Sequence, residues 1–117
     1  MKILLNDQRV DINKADNYGW APFHISCKNG HIDVVKLLLN DDRVQINKTT
    51  KDGATPFHIA CLHGHIEIMK LLLNEKRISI RKKTNYGSTA LDIAKENNHS
   101  EIVKLIKEVD TGNYSST

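Results

Sequence analysis

The 117-residue sequence has no apolar run long enough for a membrane-spanning helix or for the core of a signal peptide. Its longest purely apolar runs span three or four residues, whereas a membrane-spanning helix needs roughly 20. The apolar stretch after Lys2 ends at Leu5, which is too short for the core of a signal peptide. These absences argue against a membrane partner and against export.

Cysteines are scarce, and neither sign of charge dominates. Two cysteines without an export signal indicate a reducing compartment better than a disulfide-stabilised scaffold, so we expect an intracellular, cytoplasmic protein, with the nucleus left open. The net charge is +3, from 17 basic and 14 acidic residues, which is too small to indicate a nucleic-acid-binding protein. With 39% hydrophobic and 26% charged residues, the composition is that of an ordinary globular domain.

The sequence repeats itself with a period of 34 residues. Gly19, Gly53 and Gly87 occupy equivalent positions, and the first full copy matches the second at 18 of 34 positions without a gap. Self-similarity at such a period is typical of stacked repeat proteins, in which each unit is one supersecondary element. We therefore divide the chain into the end of a preceding unit at 1–15, full units at 16–49 and 50–83, and a capping unit with a polar tail at 84–117.

Each copy has the pattern of two helices followed by an extended loop. In the second copy Thr55 is an N-cap candidate with Pro56 at the first helical position, Gly64 interrupts the chain, and a second helix extends from about His65 to Asn74. A short apolar alternation follows and predicts a short β-hairpin or an extended arm. The second helices share a polar stripe at equivalent positions, namely Asp33, Lys36 and Asn40, then Glu67, Lys70 and Asn74, then Glu101, Lys104 and Glu108.

The second copy reads Gly-Ala-Thr-Pro-Phe-His-Ile-Ala at 53–60, Gly-His at 64–65 and Ile-Met-Lys-Leu-Leu-Leu at 68–73. This pattern resembles the ankyrin repeat, and the resemblance covers essentially the whole chain. It implies an all-α solenoid of stacked helix-turn-helix units with short β-hairpin loops. It also implies that His24 and His58 form structural hydrogen bonds between a first helix and the backbone of a neighbouring loop.

The sequence departs from the ankyrin pattern at several positions. The period is 34 rather than 33, and Asp41-Asp42-Arg43 stands where the family has a glycine before the hairpin. We expect Asn6, Asn40 and Asn74 to adopt the left-handed conformation instead. Ala21 replaces the capping threonine at a cost of about 1 kcal/mol. In the last copy, Asn98 replaces the glycine, and Asp92 replaces the histidine as an acceptor-only group.

The histidines and cysteines do not predict a metal site. Cys27 and Cys61 each precede a histidine by four residues, but these residues recur with the repeat and therefore form rows about 8–10 Å apart rather than converging on one point. The same spacing exceeds the reach of a disulfide, so both cysteines are expected to be small buried side chains. The sequence has no phosphate-binding loop and no nucleophile elbow, so we expect neither a cofactor nor catalysis.

The positions that vary while the scaffold repeats are the candidate partner-binding residues. In proteins that resemble ankyrin repeats, a partner contacts the hairpin tips and the concave face of the first helices, which implies a non-catalytic protein-binding module here. Tyr18, Trp20 and Tyr86 are the candidate anchors, since tyrosine and tryptophan are enriched among interface hot spots. Packing of Trp20 on its neighbouring hairpin is the alternative for that residue. The remaining candidates are Asn17, Lys28, Lys51, Asp52, Ala54, Leu62, His63, Asn85, Ser88 and Glu96.

Two other functions remain open at this stage. The chain could be a structural segment of a larger multidomain protein, or the basic loop from Lys76 to Lys83 could bind an acidic partner or, less well, nucleic acid. Residues 1–15 also lack a partner helix, which predicts either a fragment of a longer array or self-association through the uncapped N-terminal face.

Overall fold

The computed structural model describes residues 11–110. Within that range the chain forms six helices, and no strand occurs. The predicted cap at Asn6, most of the preceding unit and the polar tail at 111–117 lie outside the described residues. The helices are α1 Pro22–Asn29, α2 Ile32–Leu39, α3 Pro56–His63, α4 Ile66–Leu73, α5 Ala90–Glu96 and α6 Ser100–Asp110.

The helices form two layers. The first helices of the repeats pack side by side, α1 on α3 and α3 on α5, while α2, α4 and α6 pack in the same order in the second layer. Each repeat joins the layers as an antiparallel helix pair. The apolar faces meet between the layers, where the largest fully buried side chains are Leu38, Phe57, Ile68, Met69, Leu72, Ile102 and Ile106. This architecture confirms the predicted all-α solenoid.

The first helices begin where the sequence predicts. Thr55 is the N-cap of α3, its hydroxyl accepts a hydrogen bond from the His58 backbone N–H at 3.3 Å, and Pro56 occupies the first turn. The α5 helix begins in the same way at Thr89, whose hydroxyl accepts from the Asp92 backbone N–H at 3.2 Å. Ala21 has no side-chain oxygen and makes no such bond at α1, as its replacement of threonine requires.

Apart from the glycines of the turn tips, the left-handed residues among 11–110 lie at the ends of the first helices, not the second. Gly30 and Gly64 cap α1 and α3 with φ of 73° and 69°, and Asn98 after α5 has φ of 59°. The prediction for Asn40 and Asn74 is wrong, because both have right-handed backbones with φ of −85° and −81°.

After α2 and after α4, an acidic residue and an arginine replace the expected glycine. The Asp41 carboxylate accepts a hydrogen bond from the Arg43 backbone N–H at 2.9 Å and forms an ion pair with its guanidinium at 2.8 Å. Glu75 does the same for Arg77, at 3.2 Å to the backbone N–H and 3.0 Å to Nε. These contacts lower the pKa of both carboxyl groups, that of Asp41 to about 2. A side-chain cap therefore closes this turn without a left-handed residue.

The predicted hairpin loops are hydrogen-bonded turns rather than paired strands. The Asp16 N–H donates to the Trp20 carbonyl at 3.0 Å, and the Thr50 N–H donates to the Ala54 carbonyl at 2.9 Å. The Gly19 and Gly53 N–H groups also donate to the Asp16 and Thr50 carbonyls, but two backbone bonds per turn are too few for a strand ladder. The alternating residues before the turns are nonetheless core residues, since Val44, Ile46 and Ile78 are all buried.

Both cysteines are buried free thiols, as expected. Burial raises the pKa of the Cys27 thiol to about 12 and also raises that of Cys61, whose Sγ lies 3.5 Å from the sulfur of Met69. Because the thiolate is the reactive form, we predict that a disulfide reagent at pH 8 leaves the folded protein unmodified and titrates two thiols in 8 M urea. Rapid modification of either cysteine in the folded protein would contradict this burial.

Candidate functional site

Two buried histidines each connect a first helix to the loop at the end of the same repeat. His24 Nε2 donates to the Lys48 carbonyl at 2.6 Å, and His58 Nε2 donates to the Lys82 carbonyl at 2.7 Å. The other ring nitrogen of each accepts a hydrogen bond from the backbone N–H of the N-cap residue, at 3.0 Å from Ala21 and 2.9 Å from Thr55. The structural role that the resemblance implied is therefore confirmed, and these side chains fix the loops on which the candidate surface rests.

The corresponding residue of the third repeat is acceptor-only, as predicted. The Asp92 carboxylate accepts a hydrogen bond from the Thr89 backbone N–H at 3.0 Å, which holds the pKa of Asp92 below its usual value. A carboxylate has no proton to donate to a further loop. The bond from a buried histidine to the loop that leads to the next tip therefore occurs in the repeats at 16–49 and 50–83.

A second pair of histidines bridges the repeats at the opposite end of the first helices. His65 Nε2 donates to the Lys28 carbonyl at 2.7 Å, and His99 Nε2 donates to the Leu62 carbonyl at 3.0 Å. Each ring lies against a glycine of the preceding repeat, where an added Cβ at Gly30 or Gly64 would come within 2.9 Å or 2.8 Å of the ring. Sequence reasoning recorded the repeated Gly-His pair but missed this role, because the bonded residues lie 37 positions apart.

An asparagine forms the third type of bridge, which sequence reasoning also missed. Asn47 Nδ2 donates to the Arg77 carbonyl at 2.6 Å, and its Oδ1 accepts from the Ser79 N–H at 2.9 Å. Asn13 makes the equivalent pair of bonds with residues 43 and 45. The signal available in the sequence was the asparagine repeated at a spacing of 34, which is replaced by Arg81 in the next copy.

The turn tips form one hydrogen-bonded row across the three repeats. The Lys51 N–H donates to the Tyr18 carbonyl at 3.1 Å, and the Asn85 N–H donates to the Asp52 carbonyl at 2.9 Å. Tyr86 Oη also donates to Asp52 Oδ1 at 3.2 Å. The structure therefore brings together these four predicted site residues and Tyr86, with Asn17 exposed beside them.

Tyr18 and Tyr86 are the most exposed large aromatic side chains of the row. Tyr18 is 72% exposed and Tyr86 is 78% exposed. The tip below Tyr18 is fixed by the Asp16 carboxylate, which accepts from the backbone N–H groups of Tyr18 and Trp20, each at 2.9 Å. These hydrogen bonds hold the pKa of Asp16 below its ordinary value.

Trp20 is only partly exposed and packs against the buried core. Its ring lies 6.0 Å from the His24 ring, and Lys28 Nζ lies over it at 5.6 Å from the ring centroid. Part of the Trp20 surface therefore packs on the core and on side chains of α1, while packing of Trp20 on the neighbouring hairpin stays a prediction.

The exposed sides of the first helices differ from one repeat to the next. Lys28, Leu62 and Glu96 occupy equivalent positions on α1, α3 and α5, and all three are exposed, with Leu62 at 45%. His63, the last residue of α3, is also exposed, and its ring stacks on His65 at 6.2 Å between centroids. Ala54 and Ser88 lie half-buried at the foot of the tips.

The basic loop is smaller than its sequence suggests. Arg77 is paired with Glu75 and donates from Nη2 to the Leu39 carbonyl of the preceding repeat at 3.1 Å. Lys76, Lys82 and Lys83 are exposed. Within residues 11–110, no cluster of three potential metal ligands occurs and no helix is long and apolar enough to cross a membrane.

A comparison with protein families gives one match. The family model described as ankyrin repeats (3 copies) matches residues 1–50 and 41–114, and so covers nearly all of the chain. No curated protein matches the sequence.

Proposed function

The chain belongs to the ankyrin repeat family, whose members generally bind other proteins and typically lack catalytic activity, and we propose that it binds a partner protein through a surface of its own. This surface, called the tip surface below, consists of the turn tips and the exposed sides of α1, α3 and α5. It contains the candidate residues Asn17, Tyr18, Trp20, Lys28, Lys51, Asp52, Leu62, His63, Asn85, Tyr86, Ser88 and Glu96.

The observation that carries the proposal is the exposure of two tyrosines on a fixed support. Tyr18 and Tyr86 are 72% and 78% exposed, yet the backbone of each tip is hydrogen-bonded to the tip between them. An aromatic side chain on a rigid backbone loses little conformational entropy on binding while it buries a large area. Exposed apolar surface held in this way is typical of interface anchors.

The support is fixed from below as well as along the row. His24 and His58 hold the loops that lead into the second and third tips, through hydrogen bonds of 2.6 Å and 2.7 Å to backbone carbonyls. A partner that contacts several tips therefore meets a surface whose spacing is set before binding. This preorganisation lowers the cost of ordering the interface.

We predict that the double substitution Tyr18→Ala and Tyr86→Ala reduces partner capture at least about tenfold, since hot-spot residues contribute roughly 2 kcal/mol or more each. Stability should change by no more than about 0.5 kcal/mol, because exposed side chains contribute little to folding. Capture from cells of the source organism, quantified by mass spectrometry, and urea unfolding followed by circular dichroism measure the two effects.

The matched control for this double substitution is Lys36→Ala with Lys104→Ala, which changes two exposed residues on the second helices. The control should retain the captured partner. Equal loss in both variants, or full retention in the tyrosine variant, would contradict the tip surface as the binding site. Trp20 is unsuited to this experiment because its packing against the core couples binding to stability.

The basic loop gives a second candidate, binding of an acidic protein or a nucleic acid, which rests on the exposed amines of Lys76, Lys82 and Lys83. The engagement of Arg77 within the protein weakens this alternative. It predicts an affinity for a fluorescent oligonucleotide that falls steeply with salt. A purely structural role is the remaining alternative, and it predicts no specific capture by the wild-type chain.

A further inference from the structure

Basic side chains gather where the first helices end. Lys28 is in the last turn of α1, His63 ends α3, and His65 and His99 follow at the junctions with the second helices. The rings of His63 and His65 are stacked at 6.2 Å. Desolvation, followed by the smaller effects of the neighbouring bases His65, Lys28 and His99, lowers the pKa of His63.

Two of these bases already have structural partners. His65 Nε2 donates to the Lys28 carbonyl at 2.7 Å, and His99 Nε2 donates to the Leu62 carbonyl at 3.0 Å. The Lys28 ammonium lies over the Trp20 ring at 5.6 Å from its centroid. Both Lys28 and the His63 side chain are exposed to solvent.

An exposed apolar side chain adjoins these bases in the sequence and on the same helix. Leu62 precedes His63 in α3 and is 45% exposed. The equivalent positions of the flanking repeats are Lys28 and Glu96. Leu62 therefore lies between a basic residue of the preceding repeat and an acidic residue of the following repeat. Along this row of equivalent positions the side chain is therefore basic on α1, apolar on α3 and acidic on α5.

We propose that Lys28, Leu62 and His63 form a subsite for a partner segment that carries a carboxylate next to an apolar side chain. This inference rests on the proposed function, because it assigns the partner's chemistry at one part of the tip surface. A carboxylate complements both the ammonium of Lys28 and the imidazole of His63, while the neighbouring apolar group covers Leu62.

The charges around His63 determine how such a subsite responds to pH. The groups that act on it are His65 at the start of α4, Lys28 on α1 and His99 at the start of α6, and all of them are basic. The nearest acid by repeat position is Glu96, which occupies the position of α5 equivalent to Leu62. Desolvation, and after it repulsion by these bases, lowers the pKa of His63 and so favours the neutral imidazole in the free protein. A bound carboxylate favours the imidazolium, so binding should take up a proton and strengthen as the pH falls towards 6.

The test is selection of a random 16-residue peptide library on the immobilised full chain at pH 6.0. We expect enriched peptides in which aspartate or glutamate lies within about four residues of leucine, isoleucine or phenylalanine. Their affinity should fall about 5- to 10-fold for Lys28→Glu and remain unchanged for Lys36→Glu, which makes the same charge change on the second helices. Leu62→Ala should also weaken binding.

The pH dependence provides a second readout. Raising the pH from 6.0 to 8.0 should weaken the binding of these peptides to the wild type about threefold or more. The same change should have little effect on their binding to the His63→Gln variant. Peptides that lack acidic residues but lose binding with Tyr18→Ala and Tyr86→Ala would overturn the subsite while supporting the proposed function. Acidic peptides whose affinity falls equally with Lys28→Glu and with Lys36→Glu would also overturn the subsite. Failure to enrich any peptide would contradict it.

Discussion

Gly53→Ala lowers the free energy of unfolding by about 2–4 kcal/mol, whereas Gly87→Ala lowers it by about 1 kcal/mol. The two glycines share the same backbone conformation, with φ of 79° and 80°. Any L-residue is strained there, so both substitutions carry a similar conformational cost. The difference between them therefore measures the surroundings of each tip.

The surroundings of the two tips differ because only one is followed by another described tip. A Cβ at Gly53 would lie 2.5 Å from Asn85 Oδ1 and 2.7 Å from Asn85 N, the backbone nitrogen that donates to Asp52. Among residues 11–110, no atom lies within 4 Å of a Cβ added at Gly87. The alanine at position 53 must push two hydrogen-bonded tips apart.

Urea unfolding monitored by circular dichroism measures both free energies on the same scale. Equal losses in the two variants would show that the tips do not contact one another as described. A larger loss for Gly87→Ala would contradict the tip row outright.

His58→Ala lowers the free energy of unfolding by about 3–5 kcal/mol. Both ring nitrogens of His58 are hydrogen-bonded, one to the Lys82 carbonyl at 2.7 Å and the other from the Thr55 N–H at 2.9 Å, and the side chain is buried. The substitution leaves the Thr55 N–H without its acceptor and the Lys82 carbonyl without its donor. It also leaves a cavity where the buried imidazole was. His63→Ala, on the exposed end of the same helix, should cost less than about 0.5 kcal/mol and is the control.

The same side chain predicts how stability depends on pH. Burial lowers the pKa of His58 and of His24 in the folded protein below the usual value of 6.5. The unfolded chain then binds more protons than the folded chain as the pH falls below about 6.5, so acid lowers stability. Between pH 7 and pH 5 the wild type should lose more stability than His58→Ala does, and an equal loss in both would contradict the buried neutral imidazole.

The sequence predicts the scaffold well because its determinants are local. The N-cap at Thr55, the polar stripe of the second helices and the buried cysteines each depend on residues within one repeat. The 34-residue periodicity of these residues can be read from the sequence without knowledge of any contact. The role of His24 and His58 depended instead on the resemblance to a family, since their partners lie 24 residues away.

The features that sequence reasoning missed or misplaced depend on contacts between repeats or between side chain and backbone. The bridges made by His65, His99 and Asn47 join residues 30 to 37 positions apart, so no local pattern indicates their partners. The absence of the family's glycine before the hairpin predicts a left-handed backbone at Asn40. The Asp41 carboxylate caps that turn instead, and Asn40 is right-handed. The left-handed asparagine is Asn98, which stands where Gly64 ends the preceding first helix.

The proposed partner surface is tested most directly by photo-cross-linking in cells of the source organism. A photoreactive phenylalanine replaces Tyr18 or Tyr86 on the tip surface, and in parallel replaces Lys36 or Lys104 on the second helices. We predict a discrete adduct with the same partner from both tip positions and none from the second helices. Adducts confined to positions 36 and 104, or no adduct from either tyrosine position, would contradict the account.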